Sequence, residues 1–406
     1  MKASMKHIIY MALLATAAGC VEERDAITGT QSLKIDLVAP TSGGAIDVRL
    51  PDTARDVTVN LTALDADGEV DTGFDQSIRV YAQFLGTLTP ALDDMPLTTI
   101  PMSGGMASNA QITLPDSVLG QTTLWFDNGS GLGPGYEHGA VTGISPTLWY
   151  RDPFVRDIQS PRDETAVDAL SITPLTDKQV TVAASRHGVN GRLVVTSVFA
   201  QGYTVSDVSC GPGGAPPCTA EAYDHVMVFT FSAPRDENGR PLEIGDTVRR
   251  FNGGVSEFNG LTEIGFPRTF VTDAMNMTLE HDPARLPAPV LFDVAWFGPL
   301  SNPAGRINFE RNEAGAIEIR GGKVCDVAND PNYITYKQWK LDPAGASGTC
   351  GNNSISLITA GTDFTTDPTT LAGRILPRVV GIVRPVNIGS FNVWIVYPRG
   401  SSDIDL

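Results

Sequence analysis

The clearest pattern in the chain is a pair of segments, Leu242-Glu-Ile-Gly-Asp-Thr-Val-Arg-Arg-Phe251 and Gly253-Gly-Val-Ser-Glu-Phe-Asn-Gly-Leu-Thr-Glu-Ile264. Both are strand-like runs that contain glycine, and glycine lets a strand bend sharply at a barrel corner. Three more strand-like runs precede them, at Gly191–Phe199, Gly202–Asp207 and Val226–Phe231. Five such runs with glycines at the bends predict a small Greek-key β-barrel.

These segments resemble the OB-fold modules of secreted bacterial proteins. In that family a Gly-Asp-x-Val strand is followed by Gly-x-Val-x-Glu-Phe-x-Gly-x-Thr-x-Ile. The matching residues here are Gly245, Asp246, Val248, Gly253 or Gly254, Val255, Glu257, Phe258, Gly260, Thr262 and Ile264. The family's helix between the third and fourth strands is replaced by a loop-like segment, Ala233–Pro241. A weaker copy of the spacing recurs at Gly373, Leu376, Gly381 and Val383, so the resemblance implies two OB-type barrels, at residues 178–273 and 274–406.

Strand patterns also fill residues 32–145. In Asp56–Ala63 apolar and polar residues alternate, and similar short runs follow as far as Phe126, which predicts a β-sandwich. The segment Val57–Val80 resembles the immunoglobulin-like (Ig-like) domains of bacterial surface proteins, where a strand runs into an Asp-x-Asp-Gly turn. The acidic stretch Asp65–Asp71 is interpreted as that hairpin turn, and a calcium site is the alternative.

A proline-rich connector, residues 146–177, separates this region from the first barrel, and its prolines favour an extended, semi-rigid path. The fold class predicted for the whole chain is therefore all-β. It comprises an Ig-like β-sandwich followed by two small OB-type Greek-key barrels.

The N-terminus carries an export signal. Lys2 and Lys6 precede a short apolar run, Ile8–Ala18, which is too short to span a bilayer and is typical of a signal peptide. The run ends in Ala-Ala-Gly-Cys20 and resembles a bacterial lipoprotein lipobox, although Ala17 replaces the usual leucine. The resemblance implies that residues 1–19 are removed, that the Cys20 thiol is diacylated and its amine acylated, and that residues 20–31 form a tether. An ordinary signal peptide, cut after Ala18 or Gly19, is the alternative.

We therefore expect a bacterial cell-envelope protein, anchored in the membrane through acyl chains on Cys20. Val21 and Glu22 do not form the Asp-type signal that retains some lipoproteins in the inner membrane, so the expected location is the outer membrane.

Four cysteines remain besides Cys20, and an even number in an exported chain indicates two disulfides. Four cysteines allow three pairings, of which the local one is Cys210–Cys218 with Cys325–Cys350. A zinc site is disfavoured, because no Cys-x-x-Cys occurs and no histidine stands at a ligand spacing from these cysteines.

Catalytic motifs are absent from the sequence: it has no Gly-x-Ser-x-Gly, no His-Glu-x-x-His and no Gly-x4-Gly-Lys-[Ser/Thr]. In the resembled family, OB modules often precede a metal-dependent endonuclease/exonuclease/phosphatase domain, and we expect that domain to be missing from a chain that reaches only Leu406. His187 and His225 stand near Asp207 and Asp224 in the sequence, but without a nucleophile or metal motif they are interpreted as surface histidines. The prediction is a protein without catalytic residues, metal or cofactor.

Charge bears on the partner. The chain has 29 basic and 46 acidic residues, a net charge of −17, and residues 21–177 hold 8 basic against 23 acidic residues. Such a balance repels polyanions, so we expect a protein or glycan partner in the envelope and regard nucleic acid as disfavoured. The alternative is a nucleic-acid-binding accessory protein whose first barrel would use Tyr203, Arg249, Arg250 and Phe251.

Overall fold

The computed structural model describes residues 29–40, 47–84, 95–129, 131–133, 136–139, 141–161, 163–165, 172–272, 279–297, 303–388 and 391–406. Within these ranges the chain is built mainly from β-strands, so the predicted all-β class is confirmed. Residues 1–19 and Cys20 lie outside the described residues, so the signal peptide and the acylation of Cys20 stay predictions.

Two sheets of the N-terminal unit share one apolar core, and two further short strands pair only with each other. One sheet has the order β1-β3-β6, and the other has the order β2-β11-β7-β4-β5 with β10 beside β7. Buried residues from both sheets meet in that core, for example Val57 from the first and Leu124 from the second. The strands are β1 (Ser32–Ala39), β2 (Asp47–Arg49), β3 (Asp56–Leu64), β4 (Ser77–Phe84), β5 (Thr98–Pro101), β6 (Met106–Thr113), β7 (Gln121–Asp127), β8 (Gly131–Gly133), β9 (Tyr136–Gly139), β10 (Thr142–Ile144) and β11 (Thr147–Trp149).

The acidic stretch after β3 is a turn. The Asp65 carboxylate accepts hydrogen bonds from the backbone N–H groups of Asp67 and Glu69, both at 2.9 Å. Gly68 has φ +82°, a conformation that glycine adopts without a steric penalty. The Asp71 carboxylate accepts a hydrogen bond from the Thr30 hydroxyl at 2.7 Å. The predicted turn is therefore present, and two of its carboxylates accept hydrogen bonds from other groups of the chain.

The connector contains a short helix that its prolines did not predict, α1 (Val155–Gln159). Val155 and Ile158 on this helix are fully buried and pack in the core of the following barrel. The connector is thus fixed to the first barrel by apolar packing.

The first barrel closes through five strands. Its order is β13-β14-β16-β19-β18, and β17, which continues into β18 after Arg249, pairs back with β13. The pair β16–β19 is parallel and the other pairs in the ring are antiparallel. The strands are β12 (Gln179–Val182), β13 (Gly191–Phe199), β14 (Gly202–Gly211), β15 (Ala215–Thr219), β16 (His225–Phe229), β17 (Thr247–Val248), β18 (Arg250–Phe258) and β19 (Leu261–Phe270).

The C-terminal region repeats this closure, with β21-β22-β23-β25-β24 returning to β21 and with β23–β25 as the parallel pair. In both barrels the order is therefore first, second, third, fifth, fourth strand. The elements are β20 (Val290–Leu291), α2 (Pro303–Arg311), β21 (Ala316–Val324), α3 (Pro331–Tyr336), β22 (Gln338–Asp342), β23 (Ile355–Ile358), β24 (Ile375–Ile388), β25 (Phe391–Tyr397) and β26 (Ile404–Asp405).

Two disulfides reinforce the barrels. Cys210–Cys218 joins β14 to β15, and Cys325–Cys350 joins the end of β21 to the loop before β23. These are the two local pairs expected from the sequence.

Candidate functional site

The aromatic residues proposed for a nucleic-acid groove lie in the core of the first barrel. Tyr203 and Phe251 are fully buried, and the Tyr203 hydroxyl is hydrogen-bonded to the Thr269 hydroxyl at 2.5 Å. Burial raises the pKa of Tyr203 above its usual range. Neither ring can stack on a base, because both faces are covered by the barrel. The expectation that these two residues line a groove is corrected accordingly.

The arginines proposed for the same groove belong to two separate groups. Arg249 donates to the Glu280 carboxylate at 2.8 Å, and Arg285 donates to it at 2.9 Å. Arg250 and Arg268 instead stack against Phe270, with guanidinium carbons 4.0 and 4.9 Å from the ring centre. Arg249 is therefore neutralised by an acidic partner, and Arg249 and Arg250 do not form one basic stripe with the buried aromatics.

His225 is buried, so its interpretation as a surface histidine is wrong. Only 4% of the residue is exposed, and its Nδ1 lies 2.7 Å from the Ser206 hydroxyl. Burial lowers the pKa of His225 to about 4, against a smaller opposing effect of Asp224. The ring is therefore neutral at pH 7 and occupies a structural position between the barrels.

Asp207 and Asp224 hold the loop that carries His187. Asp224 pairs with the Arg186 guanidinium through two contacts of 2.7 and 2.8 Å, and Asp207 accepts from the Ser185 hydroxyl and from the Arg186 backbone N–H. His187 Nε2 lies 3.5 Å from Asp224. Each carboxylate thus accepts hydrogen bonds from donors of the chain itself, and these bonds fix the loop. Neither carboxylate is well placed to exchange a proton with a substrate.

Three phenylalanines form a cluster, which we term the aromatic patch: Phe229 at the end of β16, Phe231 just after it, and Phe266 in the middle of β19. The ring centres of Phe229 and Phe231 are 4.5 Å apart, and those of Phe231 and Phe266 are 4.6 Å apart. Phe231 is 51% exposed and Phe266 is 82% exposed. Clustered aromatic rings that are open to solvent are typical of binding surfaces, where aromatic residues are enriched.

Local backbone geometry produces this exposure. Phe231 and Phe266 have φ angles of +59° and +50°, a left-handed conformation that is unusual for a bulky residue. Phe266 also lies where the pairing of β18 with β19 shifts register, between Gly265 and Arg268. A β-bulge re-aims a side chain, and here it directs the Phe266 ring outward. Sequence reasoning missed Phe266, because strand periodicity does not reveal a bulge.

A second unexpected feature lies between the barrels, where two buried carboxylates share one partner. Thr262 donates its backbone N–H to Glu313 Oε1 at 2.9 Å and its hydroxyl to Glu257 Oε1 at 3.0 Å. The Thr173 backbone N–H also donates to Glu257 Oε1, at 2.9 Å. We refer to Glu257 and Glu313 as the inter-barrel acid pair.

Burial dominates the electrostatics of this pair. It raises the pKa of Glu257 to about 7, and the hydrogen bonds from Thr173 and Thr262 oppose that rise. Burial also raises the pKa of Glu313 well above its usual range, and the nearby charge of Glu257 raises it further. Two carboxylates in one desolvated space cannot both ionise without compensation.

The segment around Glu313 packs closely against the first barrel. The Tyr223 backbone N–H donates to the Arg311 carbonyl at 2.8 Å, and Ala314 packs with Met227 and Leu261. A Cβ atom on Gly315 would lie 2.5 Å from the His225 ring, so only glycine fits there without displacement. The acid pair is therefore part of a close contact between the two barrels.

A cleft of about 700 Å³ lies between the N-terminal unit and the connector, with Tyr81 and Leu97 on one wall and Arg156 and Asp157 on the other. Arg156 lies 3.6 Å from Glu221, and Asp157 pairs with Arg151 at 2.6 Å. Arg156 and Asp157 thus serve ion pairs of the chain.

Within the described ranges, no cluster of three or more His, Cys, Asp or Glu side chains is placed to hold a metal ion. In the same ranges, no helix has the length and apolar character needed to cross a bilayer.

Comparisons with known proteins add little. No protein-family model matches the chain, and no curated protein matches it. Among solved structures, the chain is similar to the dimeric latent form of PorU from Porphyromonas gingivalis, with 9% identity, a TM-score of 0.20 and 91% of this chain covered. The chain spans about a third of that protein, 34% of its length. A similarity of that size carries no argument about fold or function.

Proposed function

We propose that this chain is a lipid-anchored, non-enzymatic protein of the bacterial cell envelope, and that it binds a partner protein through the aromatic patch. In this proposal Cys20 provides the membrane anchor, and the N-terminal unit is an Ig-like domain. The two barrels are OB-type modules, and the strand order shared by both, with its single parallel pair, supports that assignment.

The observation that carries the proposal is the strained exposure of Phe231 and Phe266. A left-handed conformation costs about 1–2 kcal/mol for a residue with a side chain. Exposing 51% and 82% of these two residues forgoes further stabilisation by burial. A partner that covers the rings would gain the apolar burial that the fold forgoes, at a pre-formed site.

The surroundings of the patch favour a protein over a glycan or a nucleic acid. Gln201 donates to the Phe231 carbonyl, and the Thr230 hydroxyl donates to the Ser232 carbonyl. These polar side chains are therefore hydrogen-bonded to the backbone, and the surface of the patch consists mainly of the aromatic rings. A sugar requires several polar partners beside a ring, and the net charge of −17 repels a nucleic acid.

The test compares three forms of the full chain, immobilised and exposed to an envelope extract. The wild type and the Phe258→Ala variant should retain the same protein, whereas the double variant Phe231→Ala/Phe266→Ala should not. Phe258 is the matched control, because it is 62% exposed on the same barrel but lies outside the patch. Equal recovery by all three forms would remove the patch from the proposal.

A titration of labelled single-stranded DNA with the full chain tests the alternative. We expect weak binding that does not change in the double variant. Micromolar or tighter binding that falls steeply with salt would contradict the proposal and support the nucleic-acid accessory function.

A further inference from the structure

Two arginines beside the aromatic patch lack acidic partners. Arg250 and Arg268 are exposed, and in the described part of the chain neither guanidinium pairs with a carboxylate. The guanidiniums of three other arginines of this barrel each contact a carboxylate oxygen, at 2.7, 2.5 and 2.8 Å: Arg186, Arg240 and Arg249. Two positive charges are therefore open on the surface of a chain whose net charge is −17.

One ring holds both of these guanidiniums in place. Their central carbons lie 4.0 and 4.9 Å from the centre of the Phe270 ring, with Arg268 on the same strand, β19, and Arg250 on the facing strand, β18. The next residue along each strand, Phe251 and Thr269, is buried, so the two arginines and the Phe270 ring lie on the outer face of the barrel. A guanidinium stacked on a ring can still bind a carboxylate through two parallel hydrogen bonds.

The arginines continue the aromatic patch across the sheet. Strand β19 lies between β16, which ends at the patch, and β18, which carries Arg250. Phe266 and Arg268 are two residues apart, which limits the distance between their Cα atoms to about 7 Å. Phe270 lies two residues further along β19, and Arg250 faces it on β18. The rings and the open guanidiniums thus form one surface, which we term the arginine–phenylalanine strip: Phe231, Phe266, Arg268, Phe270 and Arg250.

We propose that this strip binds an acidic segment of the partner protein, with apolar side chains on the aromatic patch and carboxylates on Arg250 and Arg268. The inference rests on the proposed function and adds the chemistry of the partner to it. Arginine and large aromatic residues are enriched among the residues that contribute most to binding at interfaces. A carboxylate that reaches these two arginines displaces no acid of the described chain, because none is paired with them.

The charge distribution favours a short acidic segment over a nucleic acid. Residues 178–273 contain 8 basic and 10 acidic residues, so the first barrel as a whole does not attract a polyanion. A nucleic acid carries a phosphate on every nucleotide and gains affinity from many cations, whereas a short segment needs countercharges only at the strip. Exposed charges are largely screened beyond about 8 Å at physiological ionic strength, which limits repulsion of that segment by the rest of the acidic chain.

The test titrates two labelled ten-residue peptides with the full chain. One contains two phenylalanines and three aspartates among glycines and serines, and the other has asparagine in place of each aspartate. The wild type should bind the aspartate peptide about tenfold more tightly, since two exposed ion pairs together are worth about one factor of ten in affinity. Higher salt should reduce this preference.

Paired arginine variants localise the effect. Arg250→Gln/Arg268→Gln should abolish the preference without weakening the binding of the asparagine peptide. Arg320→Gln/Arg374→Gln is the matched control, because it removes the same charge from two exposed arginines of the second barrel, and it should keep the preference.

The outcomes separate this inference from the proposed function. Equal affinity for the two peptides, with both lost in Phe231→Ala/Phe266→Ala, would overturn the acidic partner and keep the aromatic patch. A preference that survives in Arg250→Gln/Arg268→Gln, or no binding of the aspartate peptide, would also overturn the inference. Binding of both peptides that is unaffected by Phe231→Ala/Phe266→Ala would instead contradict the proposed function. Single-stranded DNA of ten nucleotides that binds more tightly than the aspartate peptide, and only with both arginines present, would assign the strip to nucleic acid and overturn the inference.

Discussion

Replacing Glu257 by glutamine should change how the stability of the inter-barrel contact depends on pH. Glu257 has a pKa of about 7 in the fold, against a reference value of 4.5, because burial disfavours its charged form. The fold thus prefers the neutral carboxyl. Its stabilising contribution is complete below pH 4.5 and is lost as pH rises through about 7.

The two pKa values determine how much the unfolding free energy changes with pH. Their difference corresponds to about 3 kcal/mol of unfolding free energy, since each tenfold change in proton affinity is worth about 1.4 kcal/mol. Glutamine keeps the size of the side chain but never ionises. In metal-free buffer the Glu257→Gln protein and the wild type should therefore have the same unfolding free energy near pH 4.5. Above pH 7 the unfolding free energy of the variant should be higher by about 3 kcal/mol.

The assay is hydrogen exchange at the Thr262 amide, which donates to Glu313 inside the contact. A local probe is needed because a chain with several cores does not unfold in two states. The ratio of protection in the variant to that in the wild type should grow about a hundredfold from the acidic to the alkaline end. Glu69→Gln, in the exposed turn, should show no such growth. A ratio that stays constant with pH would refute the reasoning.

Three further predictions address the anchor, a disulfide and the contact between the barrels. Cys20→Ser should move the protein from the membrane fraction to the soluble fraction, as seen by cell fractionation, because the thiol is the expected acylation point. Removing Cys325–Cys350 with alanines should lower the stability of the second barrel by about 3.5 kcal/mol, measured by hydrogen exchange at amides of that barrel, since the bond closes a loop of 25 residues. Gly315→Ala should cost about 1–3 kcal/mol in the same assay, because its Cβ would meet the buried His225 ring.

Each of these has a contradicting outcome. Retention of Cys20→Ser in carbonate-washed membranes would exclude the lipobox interpretation. Unchanged protection of these amides without Cys325–Cys350 would mean that the loop is ordered by packing alone. For the third, Gly265→Ala is the control, because the nearest atom to its Cβ would be 3.9 Å away. Equal effects of the two glycine substitutions would show that steric conflict with His225 is not the cause.

Local patterns predicted much of the fold. The strand-like runs Gly191–Phe199 and Gly253–Ile264 lie in barrel strands, because alternation and glycine bends are properties of short segments. The same is true of the turn at Asp65–Asp71, whose conformation Gly68 sets locally. The local disulfide pairs follow from nearness in the chain.

The candidate sites were harder to predict from the sequence, because they depend on contacts between residues that are far apart in the chain. Thr262 and Glu313 are 51 residues apart, and no pattern in either segment predicts their contact. The burial of His225 could not be predicted from its own segment, because the segment that covers it, around Gly315, belongs to the next barrel. Phe231 and Tyr203 look alike in the sequence, yet a left-handed backbone exposes the first while the barrel buries the second.

The most direct test of the proposed function is photo-crosslinking from position 266 in cells that make the lipidated chain. A photoreactive phenylalanine analogue in place of Phe266 should yield one discrete adduct with an envelope protein, and the same analogue in place of Phe258 should not. The absence of a protein adduct at position 266, equal adducts at both positions, or an adduct removed by nuclease would contradict the proposal that the aromatic patch binds a partner protein.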